Sequence, residues 1–307
     1  MSMRQTKIIS RGLWKRNLPL HGMLLPAVIL VLIFNYGTLF GLIMAFQKYN
    51  LAKGIFGSPF VGWKNFEYVI RFPDIKRVLF NTVFIASMKI IVGLIVPVSV
   101  ALMLNEIRRV LFRRIFQTLV YLPHFLSWVI LGGILVDILS PSSGIVNQFL
   151  QLFGVEPIFF LGSNKWFPFV VVLSDAWKEF GFGTIVYLAA LTGINPSLYE
   201  AAEVDGAGRW RQTWSVTLPG IAPIMVLMLT LSLGNVLNAG FDQIFNLYSP
   251  QVYESGDIID TLVYRIGLID TQYSVATAIG FMRSIVSFLM ISVSYLLAYK
   301  LANYRIF

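Results

Sequence analysis

The sequence predicts an all-α integral membrane protein with six transmembrane helices, and three observations lead to that fold class. Of its 307 residues, 57% are hydrophobic and only 13% are charged, whereas soluble domains carry about 25% charged residues. Apolar runs recur at the length of roughly 20 residues that a helix needs to cross a bilayer. Basic residues gather at the edges of these runs, which favours lipid headgroups over nucleic acid as their partner.

Six apolar runs define the predicted spans, with no low-complexity segment or clear repeat between them. They cover residues 20–46, 81–104, 116–139, 166–191, 221–247 and 274–301. The first follows a basic tail over residues 1–19, but it is too long for a signal-peptide core and lacks a small-residue cleavage site, so we expect a retained helix. We predict one transmembrane domain over residues 1–307.

The distribution of Lys and Arg in the short loops predicts the orientation. With the amino terminus inside, the inner segments carry thirteen Lys and Arg and the outer segments carry eight. Six of those eight lie in residues 47–80, whose mixture of aromatic, apolar and charged residues indicates an interfacial segment on the outer surface. We therefore expect both termini in the cytoplasm.

A polar interruption over residues 192–220 lies on the inner side, between the fourth and fifth spans. Asn195 and Pro196 are a typical helix start, since Asn caps the helix and Pro occupies its first turn. Gly206 tolerates the left-handed conformation that ends it. A second short helix is predicted over 210–215, and Pro219 is expected to end it and open the next span. The result is an inner projection with a small-residue surface and one acidic charge.

The residue pattern of this interruption is specific. It combines Glu200-Ala201-Ala202, then Asp205-Gly206-Ala207, then Leu218-Pro219. It resembles the EAA loop of permease subunits in binding-protein-dependent ABC importers. The family usually has Ile where Val216 stands, a mild departure that leaves the assignment intact.

The resemblance covers nearly the whole chain and is nearest to the carbohydrate importers, in the branch that takes up oligosaccharides and polysaccharide fragments. Further similar stretches are Leu119–Trp128, Asp175–Lys178, Ile185–Leu191, Tyr264–Leu268 and Ala276–Gly280. The resemblance implies a type I importer (MetI-like) permease fold in the bacterial cytoplasmic (inner) membrane. It also implies alternating access coupled to ATP hydrolysis elsewhere.

The partners implied by the resemblance are a second homologous permease, two ATP-binding subunits, each on one EAA loop, and an extracytoplasmic solute-binding protein. The residues implied to couple to the ATPase are Glu200, Ala201, Ala202, Asp205, Gly206 and Pro219. The chain has no phosphate-binding loop motif, so ATP and Mg²⁺ would belong to the partner ATPase and this subunit would be no enzyme. It has no cysteine, and its histidines do not cluster, so we expect no cofactor, metal or catalytic site.

Polar and charged residues within the predicted spans are the candidates for a substrate path, because such groups are costly in a membrane and usually functional. They are Asp175, Trp177, Lys178, Glu179, Tyr187, Asn235, Asn238, Asp242 and Arg283. Two interpretations remain open. The charges pair internally, for instance Asp175 with Lys178, or they line a wet path that hydrogen-bonds sugar hydroxyls. Lys178 and Arg283 would also attract the carboxylates of alginate or pectin fragments, whereas Lys89 is expected to snorkel to the interface.

The alternative functions are an ABC permease for another solute, such as an amino acid, and an ion-coupled secondary transporter. The second would use Asp175, Glu179 and Asp242 as proton or sodium sites. A membrane enzyme is disfavoured because no nucleophile–base pair or metal-ligand cluster is evident in the sequence.

Overall fold

The computed structural model describes residues 3–107, 109–234 and 236–302, and the described chain is helical apart from loops and one isolated β-bridge between Gln47 and Phe60. Helix α1 (Met3–Val31) continues through a π-helical turn (Leu32–Tyr36) and a 3-10 segment (Gly37–Phe46). From residue 17 to residue 40, most large apolar side chains of this stretch are exposed. That exposure is expected of a helix surrounded by lipid.

The segment after the first span packs onto the core rather than only lying at an interface. It contains the short helices α2 (Gly54–Gly57) and α3 (Lys64–Arg71). Phe66 in α3 is buried, and its ring centroid lies 5.1 Å from that of Phe46 and 5.9 Å from that of Phe281. Helix α4 (Ile75–Asn105) begins before residue 81, where the second span was predicted to start.

Four stretches of the described chain are helical, long and apolar enough to cross a membrane. They are Asn17–Phe46, Ile75–Asn105, Arg209–Gly234 and Tyr273–Leu296. Helix α5 (Val110–Tyr121), a 3-10 turn (Leu122–Phe125) and helix α6 (Trp128–Ile138) form a fifth if counted as one span, although the chain bends by 102° between its two parts. The third predicted span is therefore a broken one.

Helix α8 (Phe167–Thr192) covers the fourth predicted span and is preceded by the short helix α7 (Ile145–Gln151). Its 26 residues extend for about 39 Å, enough to cross a bilayer. It carries three charged residues, Asp175, Lys178 and Glu179, within its length. Helices α4 and α8 form the most extensive helix–helix contact in the described molecule.

The remaining helices complete the inner projection and the last spans. They are α9 (Pro196–Val204), α10 (Arg209–Gln212) with a π-helical turn (Thr213–Thr217), α11 (Leu218–Gly234), α12 (Phe241–Leu247), α13 (Tyr253–Gly256), α14 (Ile259–Tyr264) and α15 (Tyr273–Ala302). The fifth predicted span is thus also broken, between α11 and α12. The sixth matches α15. Fully buried side chains such as Ile85, Phe167 and Ile244 fill the core where α4, α8 and α12 meet.

Candidate functional site

A cavity of about 390 Å³ lies between α4, α8, α11 and the break that follows α11. Three of the predicted path residues line it: Asp175, Tyr187 and Asn238. Lys89 and Ser232 add polar groups to a wall that is otherwise formed by small and aliphatic residues. The cavity therefore has the chemistry of a polar pocket in an apolar surround.

Lys89 is the cation of this cavity, and the prediction that it snorkels was wrong. Its side chain is only 10% exposed, and its ammonium group lies 3.0 Å from the Oδ1 atom of Asp175. The same group donates to the carbonyl oxygen of Ala239 at 2.8 Å and to Oε1 of Gln243. The ammonium group of this α4 residue thus contacts α8, the break and α12.

The backbone of the break between α11 and α12 lies close against the ammonium group of Lys89. Gly240 has φ +93°, a left-handed conformation that favours glycine, and a Cβ atom there would lie 2.8 Å from Nζ of Lys89. Breaking a helix leaves carbonyl groups without partners, which is costly within a membrane, and Lys89 satisfies that of Ala239. Gln243 is fully buried, and its Nε2 atom donates to the carbonyl oxygen of Val171 at 2.7 Å and to the Ser174 hydroxyl at 2.8 Å.

A second ion cluster lies at the bend of the third span. Nζ of Lys178 donates to the carbonyl oxygen of His124 at 2.7 Å and lies 3.1 Å from Oε1 of Glu179. The other carboxylate oxygen of Glu179 is 2.8 Å from Nδ1 of His124, and the His124 ring stacks on Phe182 at 4.5 Å. Lys178 therefore pairs with Glu179, and the pairing of Lys178 with Asp175 that the sequence suggested does not occur.

The other predicted path residues that the structure describes lie away from the cavity. Arg283 in α15 pairs with Asp260 in α14; burial raises the pKa of Asp260, and the nearby Arg283 partly offsets this rise. Trp177 is 44% exposed on α8, and Asp242 is exposed at the start of α12. Asn235 lies outside the described residues. Of the eight predicted residues that the structure describes, Asp175, Tyr187 and Asn238 are brought together at the cavity.

The inner projection begins and turns as the sequence predicted. The Asn195 side chain accepts a hydrogen bond from the backbone N–H of Ser197 at 3.1 Å, so it caps α9. After α9, Gly206 has φ +76°, and the N–H of Ala207 donates to the carbonyl oxygen of Ala202 at 2.8 Å. This is the hydrogen-bond pattern of a glycine-terminated helix end.

The prediction that Pro219 ends the second short helix was wrong. The chain continues from α10 through the π-helical turn into α11 as one stretch from Arg209 to Gly234. Pro219 is tolerated because it occupies the first turn of α11, where the π-helical turn before it has already altered the hydrogen-bond register. The projection is therefore α9 attached by a glycine turn to the amino-terminal end of the fifth span.

A hydrogen bond and an ion pair attach the projection to the spans on one side, and its other side is exposed. The hydroxyl groups of Tyr199 and Thr217 are 3.0 Å apart, and Arg209 pairs with Glu106 at the end of α4 at 2.6 Å. On the open side, Glu200, Ala201, Asp205, Gly206 and Pro219 are exposed and Ala202 is half-buried. Leu198 and Val204 are also exposed, at 52% and 88%, which leaves α9 with an apolar surface and an acidic group facing outward.

Sequence reasoning missed three residues that build these clusters, namely Lys89, Gln243 and His124. Lys89 was placed close to a helix end because the start of α4 was predicted too late, whereas it lies near the middle of Ile75–Asn105. His124 follows Pro123 in the middle of an apolar run, and that pair was the available signal of the bend. Gln243 carried no signal beyond being a polar residue in a predicted span.

Comparison with known proteins extends these observations. Residues 90–303 match the family described as "Binding-protein-dependent transport system inner membrane component". The polygalacturonan/rhamnogalacturonan transport system permease protein YteP of Bacillus subtilis (strain 168) is 39% identical over 288 residues, which are 94% of this chain and 90% of that protein.

Two crystal structures have chains of similar fold. One is of a bacterial ABC transporter involved in the import of the acidic polysaccharide alginate, with a TM-score of 0.86 and 39% identity over 94% of this chain and 97% of that chain. The other is of a bacterial alginate ABC transporter in complex with an alginate pentasaccharide-bound periplasmic protein, with a TM-score of 0.85 and 39% identity over 94% and 96% of the two chains. The similarity thus extends over almost the whole chain.

Proposed function

Since the chain belongs to the family of binding-protein-dependent transport system inner membrane components, we propose that it is the permease subunit of an ATP-driven importer of acidic oligosaccharides. The observation that carries the proposal is 39% identity over 94% of the chain both to a polygalacturonan/rhamnogalacturonan permease and to a chain of an alginate importer. Both of those proteins are named for polymers that contain uronic acids. The polar cavity at Asp175, Tyr187 and Asn238 supports a path that hydrogen-bonds sugar hydroxyls.

The partners belong to this proposal too. A second permease, two ATP-binding subunits that hold ATP and Mg²⁺, and an external solute-binding protein would complete the importer. Each ATP-binding subunit would dock on one inner projection, where Glu200, Ala201, Ala202, Asp205, Gly206 and Pro219 form the coupling surface. Closure of the ATPases would draw the two projections together and turn the cavity outward. In this arrangement both termini would lie in the cytoplasm, and the Lys and Arg distribution supports that orientation.

The test is uptake by the assembled transporter in proteoliposomes, with the solute-binding protein added outside and ATP supplied inside. We expect trigalacturonate or an alginate trisaccharide to enter only with hydrolysable ATP, and an amino acid such as histidine not to enter. Uptake driven by a proton or sodium gradient without ATP would overturn the proposal in favour of a secondary transporter. Uptake of the amino acid but not of the sugars would overturn the substrate class alone.

A further inference from the structure

The wall of the cavity carries one positive charge, on Lys89, and one negative charge, on Asp175. Every N–H donor of the Lys89 ammonium group is already engaged. The ammonium group of Lys89 donates to Asp175, Ala239 and Gln243. An ammonium group has three N–H donors, so all are occupied. A sugar carboxylate could reach Lys89 only by displacing one of these acceptors, and they belong to α8, to the break and to α12, which the lysine holds together.

The negative charge is the more accessible of the two. The side chain of Asp175 is 26% exposed, against 10% for Lys89. Within the described residues, Asp175 is engaged through Oδ1 alone. Asp175 and Asn238 both line the cavity, and their side chains offer a carboxylate oxygen and an amide group. These suit sugar hydroxyls, whereas a carboxylate oxygen repels a uronate.

We propose that the Lys89–Asp175 pair is a specificity determinant whose task is to keep the cavity electrically neutral. Asp175 cancels the charge of Lys89, so an acidic oligosaccharide is held by its hydroxyls and is neither trapped nor repelled by its carboxylates. Lys89 is then a positioning residue that holds Asp175 and the break in place. This inference deepens the proposed function and rests on it.

The test uses three variants that change the charge of the cavity in known steps. Asp175→Asn adds one positive charge, Lys89→Met adds one negative charge, and the double variant restores neutrality. The readout is the uptake ratio of trigalacturonate to its methyl ester, with distinct labels in one proteoliposome reaction and an unaltered solute-binding protein. The ester has the same chain length without charge, and the ratio cancels any loss of active transporter.

The expected ratios follow from electrostatics. Asp175→Asn raises the acid-to-ester ratio roughly tenfold and Lys89→Met lowers it roughly tenfold. This is the factor expected for a unit charge about 10 Å from a substrate carboxylate at an effective dielectric constant of about 20. The double variant returns to within about twofold of wild type. Arg283→Gln is the matched control, because it also unpairs a part-buried carboxylate but does not line the cavity, and it leaves the ratio unchanged.

The possible failures are distinguishable. If wild type carries neither trisaccharide, the proposed function fails. If wild type carries them and both single variants shift the ratio in the same direction, or leave it unchanged, the pair is structural and the inference is overturned. Should a variant lose all uptake, the ratio of the two dissociation constants for the solubilised transporter replaces the uptake ratio, and the same signs are required.

Discussion

At the residue scale, a comparison of Gly206 with Gly208 distinguishes the effect of backbone conformation from the effect of steric space. A Cβ atom would meet no atom within 4 Å at either position, but only Gly206 has a positive φ, of +76°. A β-branched residue at Gly206 strains the turn by about 1–3 kcal/mol. At Gly208, the cap of α10 with φ −67°, Thr caps about as well as Gly. We expect Gly206→Thr to lower ATP-driven uptake several-fold and Gly208→Thr to preserve it; equal losses would contradict the argument.

Asp260 provides a pH-dependent prediction at the same scale. Burial raises its pKa above the ordinary value of 3.8, with Arg283 opposing the rise. Because the folded pKa is the higher one, the stabilisation from this group is fully present below pH 3.8 and is lost as the pH rises through the raised pKa. The unfolding temperature of wild type minus that of Asp260→Asn should therefore increase as the pH falls from about 7 to about 4. Thermal unfolding in detergent, followed by tryptophan fluorescence, measures this difference, and a constant value would refute it.

The sequence identified most of the intramembrane charges but not their partners. Asp175 and Lys178 lie on the same face of one helix, so local spacing favours their pairing. In the structure Asp175 pairs with Lys89, which lies 86 positions away in sequence. Which charges meet is decided by how α4 packs on α8, and hydropathy and helical periodicity do not encode that contact.

At the element scale, Gly181 in α8 marks a close approach of two helices. A Cβ atom there would overlap the carbonyl oxygen of Val120 in α5. Gly133 in α6 is the matched control, because it is also helical and a Cβ atom there would meet no atom within 4 Å. We expect Gly181→Ala to lower the unfolding temperature. Gly133→Ala should leave the unfolding temperature unchanged or raise it, because Ala in place of Gly stabilises a helix by up to about 1 kcal/mol. A similar response of the two variants would argue against close packing.

The breaks in the third and fifth spans are the features of the helices that the sequence did not predict. Hydropathy measures composition over a window, so the bend before Ser127 and the turn at Gly240 both remain inside runs that look continuous. In each case the break is held by polar contacts from a distant helix: Lys178 and Glu179 hold the bend at His124, and Lys89 holds the turn at Ala239. Such breaks become tolerable only once those contacts exist, and therefore only in the folded tertiary structure.

At the scale of the whole molecule, the predicted fold class and family are confirmed. Two features made this possible without any tertiary information. The apolar runs are a consequence of the bilayer as solvent, and the pattern from Glu200 to Pro219 is local in sequence. The inner projection that this pattern forms presents exposed apolar and acidic groups, and under the proposed function an ATP-binding subunit would cover this surface.

The final prediction concerns that assembly. Among the described residues Glu200 makes no ion pair, and its side chain is exposed beside Ala201. If a basic group of the ATPase faces it, Glu200→Lys replaces attraction by repulsion, which costs several kcal/mol at an interface. We expect normal amounts of the variant in the membrane, but a loss of co-purified ATPase and of uptake. Glu156→Lys, the same charge reversal on the exposed segment between α7 and α8, should retain both. Retention of ATPase and uptake by Glu200→Lys would mean that this projection does not couple the chain to ATP hydrolysis.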